Sequence, residues 1–203
     1  MTTTITASMV KELREATAAG ILDCRKPLEV SGGDFDKAVD YLRERGLSQA
    51  AKRMDRQASE GLVHAYIHSG GRVGVLVEVN CETDFVARTD EFQELVNDIA
   101  LQVAAMSPLY VSRDQIPQEV IDHERRLYRA QALEEGKPEN IADRIVEGRM
   151  EKYYQQACLL EQDFIRDEDV TIEELVKAQI TKTGENIVIR RFARFQLGES
   201  LGD

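Results

Sequence analysis

Cys81 together with His64 or His68 could supply a nucleophile and its base. No third group stands out to orient the base, and a buried, unreactive thiol is the commoner state of a cysteine. His64 and His68 lie two strand periods apart and could share a face, but zinc needs more ligands than that and nothing nearby supplies them. Gly70-Gly71 reads as a hairpin turn, because no helix follows at the spacing a phosphate loop requires. Arg190, Arg191 and Arg194 form a small basic cluster on a strand, read as a partner-facing or acid-paired edge. These residues therefore predict no catalytic group, no bound metal and no cofactor. The run Asn80-Cys81-Glu82-Thr83-Asp84-Phe85-Val86-Ala87-Arg88 says more. Val73 to Val79 make a strand of β-formers that delivers a short acidic turn ending in Phe85, and a helix starts within a few residues. Two readings stand side by side. Asp84 caps the helix while Phe85 joins the core, or the stiff corner presents Asp84 and Phe85 as a probe that enters another protein.

Charge narrows the choice of partner. The 203 residues carry 26 Lys plus Arg against 37 Asp plus Glu, a net charge of −11. Neutralising phosphates needs a cationic face, so direct binding of nucleic acid is not expected. No apolar run approaches the ~20 residues of a membrane span, and the N-terminus lacks the basic start and apolar stretch of a secretory signal. Cys24, Cys81 and Cys158 are far apart and odd in number, which fits a reducing compartment. These features predict a soluble, intracellular, acidic protein.

The elements that would carry the corner follow from periodicity. Met9, Val10, Leu13 and Thr17 share one face of a first helix stopped by Ala18-Ala19-Gly20, and Ile21 and Leu22 follow in a turn with little polar cover. A short second helix runs through Asp23-Cys24-Arg25-Lys26 towards Ser31-Gly32-Gly33, with Pro27 expected to bend or bound it. Asp34 can cap a third helix carrying Phe35, Ala38, Val39 and Leu42. Residues 1–55 thus form a three-helix module, marginal alone and suited to recognition. Leu47 to Glu60 reads as a linker helix ended by Gly61.

Residues 56–203 then form an α+β domain. Leu62–His68 and Val73–Val79 are strands joined by Ser69-Gly70-Gly71-Arg72. Phe92, Leu95, Val96, Ile99, Val103 and Met106 make the apolar stripe of a helix packed on the sheet, with Asp90 and Gln93 as its capping box. From about 117 to 162, two charged helices broken at Gly136-Lys137-Pro138 predict an antiparallel helical hairpin arm. Thr171 and Glu174 box a further helix closed by Gly184, and Asn186–Leu197 is a strand expected to pair with the hairpin.

Four stretches of the chain are similar, in order, to those of the bacterial elongation factor Ts family. They are Ile5–Arg14 with Ala19–Lys26, Val77–Ala87, Val146–Met150, and Gly184–Arg191. The length resembles the short form of that family, with one core module instead of two. Pro27, where many members carry alanine, is a local departure. The resemblance implies a cytoplasmic guanine nucleotide exchange factor that binds elongation factor Tu, GDP-bound and nucleotide-free. It implies an N-terminal fold like the ubiquitin-associated three-helix domain. It also implies that Thr83, Asp84, Phe85 and Val86 disturb the partner's Mg²⁺ site, while Arg14, Ile21 and Leu22 touch its nucleotide domain. One core module in place of two points to a homodimer. Two other classes remain for testing: a plain adaptor using the three-helix module, and a cysteine hydrolase using Cys81.

Overall fold

Apolar residues at helical spacing near the N-terminus build three helices: α1 (Ala7–Thr17), α2 (Ile21–Val30) and α3 (Phe35–Ala51). The computed structural model describes residues 4–17, 19 and 21–200, except the side chains of residues 22, 47–49 and 51. Leu13, Cys24, Leu28 and Ala38 are buried together, and Met9, Val10, Phe35, Val39 and Leu42 pack around them. The Asp34 carboxylate accepts the Lys37 amide at 3.1 Å and starts α3 as its sequence position predicts. Of the expected stop after α1, Ala18 and Gly20 lie outside the described residues.

Three expectations need correction here. Ile21 opens α2, so the predicted turn of Ile21 and Leu22 is helix; Asp23 in the first turn complements the helix dipole. Pro27 does not bound α2, which runs on to Val30, and the Ser31 amide still donates to the Pro27 carbonyl at 2.9 Å. In a helix held by its buried face, Cys24, Pro27 and Leu28, one missing N–H is a tolerable loss. Leu47 to Glu60 is not a linker helix. α3 passes through Gly46 to Ala51, turns follow, and the first strand already begins at Glu60 with Gly61 inside it. Gly46 serves close approach: a Cβ there would stand 3.1 Å from Thr181 Cγ2, and the Thr181 hydroxyl donates to the Gly46 carbonyl at 3.0 Å.

Strands β1 (Glu60–Ile67) and β2 (Val73–Cys81) make the expected hairpin, with Gly70 and Gly71 at φ 88° and 67° in its loop. Alternation buries Val75, Val77, Val79 and Cys81 on one side of β2. A one-turn helix α4 (Asp84–Ala87) leads to α5 (Asp90–Met106). Phe92, Leu95, Val96, Ile99 and Val103 are buried as the stripe predicts, whereas Met106 at the helix end is exposed. The α5 cap is Thr89, whose hydroxyl accepts the Phe92 amide at 3.3 Å, and not a box of Asp90 with Gln93.

Helices α6 (Gln118–Glu134) and α7 (Glu139–Ala157) form the hairpin arm around the expected break. Its seam is apolar: Val146, Met150 and Tyr154 are buried with Ile116 and Cys158, and Val120, Ile121 and Tyr128 pack against them. Exposed pairs such as Arg125–Glu147 and Arg129–Asp143 flank the seam. A small antiparallel pair, β3 (Asp163–Phe164) and β4 (Asp167–Thr171), was not expected from so charged a stretch. Thr171 and Glu174 exchange the two bonds of a capping box, at 3.1 and 3.2 Å, and start α8 (Ile172–Thr183). Gly184 at φ 77° ends it, and β5 (Ile187–Gln196) follows. The sheet order is β1-β2-β5, an antiparallel sheet packed with helices in an α+β fold.

Contacts divide the chain into two compact units. One holds the chain up to Gly61, Asn80–Phe92 and Val176–Val188; the other holds Leu62–Val79, Gln93–Leu175 and the chain from Ile189. No described helix is long and apolar enough to cross a membrane.

Candidate functional site: an anchored corner with an exposed phenylalanine

The corner lies where β2 hands over to α4, inside the first unit. Alternating valines carry β2 as far as Cys81. Thr83 is still extended, at φ −129° and ψ 155°, and is the N-cap of α4, with its hydroxyl accepting from the Val86 amide at 3.4 Å. Asp84 is therefore the first helical residue and not the cap. Its carboxylate pairs with Arg88 at 2.8 Å, one turn on and exposed. Ala87 is buried under the turn, which points Phe85 the other way. Phe85 is 78% exposed, so the core reading of this residue fails. Asp84 and Val86 are half-buried beside it.

Two carboxylates hold the corner from below. Glu185 accepts the Thr83 amide on Oε2 at 3.0 Å and the Thr83 hydroxyl on Oε1 at 2.7 Å. In return, Glu82 Oε1 accepts the Asn186 amide at 2.7 Å. Asn186 is buried and donates its side-chain amide to the carbonyls of Met54 and Arg56 at 3.0 and 2.7 Å, while Arg56 stands 3.5 Å from Glu82. The Cys81 thiol donates to the Thr83 carbonyl at 3.1 Å. The Thr89 hydroxyl ties the far end, donating to Val86 O at 2.8 Å.

This surrounding disposes of a nucleophilic Cys81. Burial, with the charge of Glu185 adding to it, pushes the thiol up to about 11. At neutral pH it stays protonated, and the thiolate is the reactive form. Cys24 and Cys158 are buried free thiols, both also shifted upward. His68 Nδ1 lies 3.0 Å from the Tyr66 hydroxyl, and among the described residues no three His, Cys, Asp or Glu groups converge on a metal position. Arg190 and Arg191 both face Glu78, at 3.5 and 2.7 Å, an acid-paired edge.

The N-terminal candidates belong to the three-helix bundle. Arg14 is exposed in the last turn of α1, and Ile21 is 57% exposed at the start of α2. The side chain of Leu22 lies outside the described residues. The residues that reading by motif passed over are Glu82, Glu185 and Asn186. The available signal was a carboxylate directly after the helix-ending Gly184, since a side chain placed there is aimed by the turn.

The corner thus presents an exposed aromatic on a β-to-α turn tied by hydrogen bonds. Comparison with known proteins places the chain in a family. The family model "Elongation factor TS" matches residues 35–199. The elongation factor Ts of Thermoanaerobacter sp. (strain X514) is 60% identical over 197 residues, 97% of each chain. That of Carboxydothermus hydrogenoformans is 58% identical over 197 residues, 97% of this chain and 91% of the relative. The chain belongs to the elongation factor Ts family. The elongation factor Ts family comprises nucleotide exchange factors for elongation factor Tu in translation elongation, which carry out no covalent chemistry. The family assignment and the inert Cys81 together remove the cysteine hydrolase class.

Proposed function

We propose that this chain releases GDP from elongation factor Tu in the cytoplasm by inserting Phe85 near the partner's Mg²⁺ and phosphate site. The exposure of that ring on an anchored corner carries the reading. In such a partner, GDP is held by backbone amides around its β-phosphate and by Mg²⁺ that bridges protein and phosphate. An intruding ring, with Thr83, Asp84 and Val86 as its rim, displaces the groups that hold the metal's waters. Phosphate charge is then less compensated, and the nucleotide leaves faster. The factor forms no bond; it only binds the nucleotide-free state better than the GDP-bound one, and linkage makes that preference mutual.

Magnitude decides how much Phe85 can do alone. Shifting a two-state balance from mostly bound to mostly free takes roughly 5.5 kcal/mol of differential binding. Burying one phenylalanine supplies about 1.5–3 kcal/mol. The remainder needs a wider surface, and residues 1–55, through Arg14, Ile21 and Leu22, serve as the docking module while residues 56–203 carry the probe. A second copy of the chain covers the outer face of the sheet, where Val63, Ile67, Leu76 and Phe195 are exposed. Glu78 beside Arg190 and Arg191 gives that face both signs of charge, which a twofold contact can match. Sedimentation velocity reads this pairing directly.

Substoichiometric purified protein should speed release of labelled GDP from elongation factor Tu through many turnovers. An adaptor would bind the same partner and leave the release rate unchanged.

A further inference from the structure

Thr83 is the fixed point of the corner, and every polar group it has is in use. Its amide and hydroxyl donate to Glu185, its hydroxyl oxygen accepts from Val86, and its carbonyl accepts from the Cys81 thiol. Among these partners only Glu185 comes from far along the chain, 102 residues away. The matching bond from the Asn186 amide to Glu82 makes the link reciprocal: each segment contributes a carboxylate to the other's backbone.

A four-residue helix does not hold itself. Helices shorter than ~12 residues are marginal because nucleation fixes several dihedrals for a single hydrogen bond, and the cap bond to Val86 is long at 3.4 Å. The direction of α4 is therefore imposed through its ends. Phe85 adds nothing to that hold, since its ring is outside the core. Hydrogen bonds to an ionised carboxylate are shorter and about twice as strong as neutral ones, and Glu185 makes two of them to the residue next to Asp84.

We propose that Glu185 is the positioning residue for nucleotide exchange: it touches no part of the nucleotide or its metal, but clamps Thr83 so that Phe85 is presented in one fixed orientation. The inference rests on the role given to Phe85 above. A loose corner would still dock through the N-terminal module, but the ring would have to be ordered during the act of displacing the metal's ligands. That ordering cost falls on the step after binding. Loss of the clamp should thus lower the maximal rate of release and leave the half-saturating concentration nearly unchanged.

The test measures labelled-GDP release from elongation factor Tu over a range of full-length protein concentrations, for Glu185→Ala, Glu185→Gln, Phe85→Ala and the double variant Glu185→Ala/Phe85→Ala. Glu185→Ala should lower kcat about tenfold, the size of effect expected from losing a charge-assisted hydrogen bond, with KM within about threefold of wild type. Glu185→Gln keeps one acceptor oxygen and should fall between. The double variant should be no slower than Phe85→Ala, because a positioning residue acts only through what it positions. Full-rate exchange by Glu185→Ala beside a slow Phe85→Ala overturns this inference and leaves the Phe85 reading standing. A double variant slower than Phe85→Ala overturns it as well. Full-rate exchange by Phe85→Ala removes the underlying reading itself. Should Glu185→Ala fail to give a native circular dichroism spectrum, Glu185→Gln, which keeps the side chain's size, must still lower kcat with KM nearly unchanged, and full-rate exchange by it overturns the inference.

Discussion

Phe85 and Ile21 are both exposed apolar residues in the first turn of a helix, yet the backbone beneath them is held in opposite ways. Ile21 opens a ten-residue helix whose inner face, Cys24 and Leu28, is sunk in a bundle core. Phe85 rides a four-residue helix fixed at its start by carboxylate hydrogen bonds. Burial is non-directional and roughly proportional to area, so it holds a surface in place without aiming any one group. Hydrogen bonds are directional, so they can aim a side chain. The difference matches two tasks: Ile21 suits docking, which needs area, and Phe85 suits displacement, which needs aim.

The comparison can be broken at either end. Phe85→Ala carries the largest expected effect. Release at saturation should slow roughly 10- to 100-fold, the rate equivalent of about 1.5–3 kcal/mol of ring burial, while KM stays close to wild type. Ile21→Ala should do the reverse, raising KM about 3- to 10-fold for a partly buried aliphatic side chain and leaving kcat alone. Stopped-flow release of labelled GDP separates the two. If both variants change the same parameter, the division of labour is wrong.

The smallest effect concerns the thiols under each region. Burial raises the pKa of Cys24 in the bundle and of Cys81 beneath the corner, the latter from 9.0 to about 11. The folded chain therefore holds the Cys81 proton more tightly than the unfolded chain. This favourable burial is intact below pH ~9 and is lost as pH rises towards ~11, since the folded state binds more protons in that window. Denaturant midpoints should decline between pH ~9 and ~11, and Cys81→Ala should flatten part of that decline. Cys158, raised to about 11, contributes in the same direction. At neutral pH, Cys81→Ser should leave exchange within about twofold, because the hydroxyl can still donate to the Thr83 carbonyl.

Much of the fold was legible because its signals are local. The stripe from Phe92 to Val103, the glycine loop of the hairpin, the Asp34 cap and the Thr171–Glu174 box each use residues within a few positions of one another. The caps of α4 and α5 were read one residue late, at Asp84 and Asp90. In both, a threonine just before the aspartate does the capping while the acid occupies the first turn, where it complements the helix dipole. What escaped was set by distant partners. Inside helix α3, Gly46 meets Thr181, 135 residues on, and the corner is tied by Glu185 across 102 residues. Neither partner is marked by periodicity. The exposure of Phe85 had a similar status: a strand, an acidic turn and an aromatic allow a core residue or a probe, and only Ala87 turning inward decides between them.

The most direct measurement is a structure of this chain bound to nucleotide-free elongation factor Tu. The account predicts that the Phe85 ring, 78% exposed in the free chain, is buried against the partner beside its vacated Mg²⁺ and phosphate site, with the Thr83–Glu185 bonds intact. A complex in which the ring remains in solvent, or folds back onto its own chain, would contradict it.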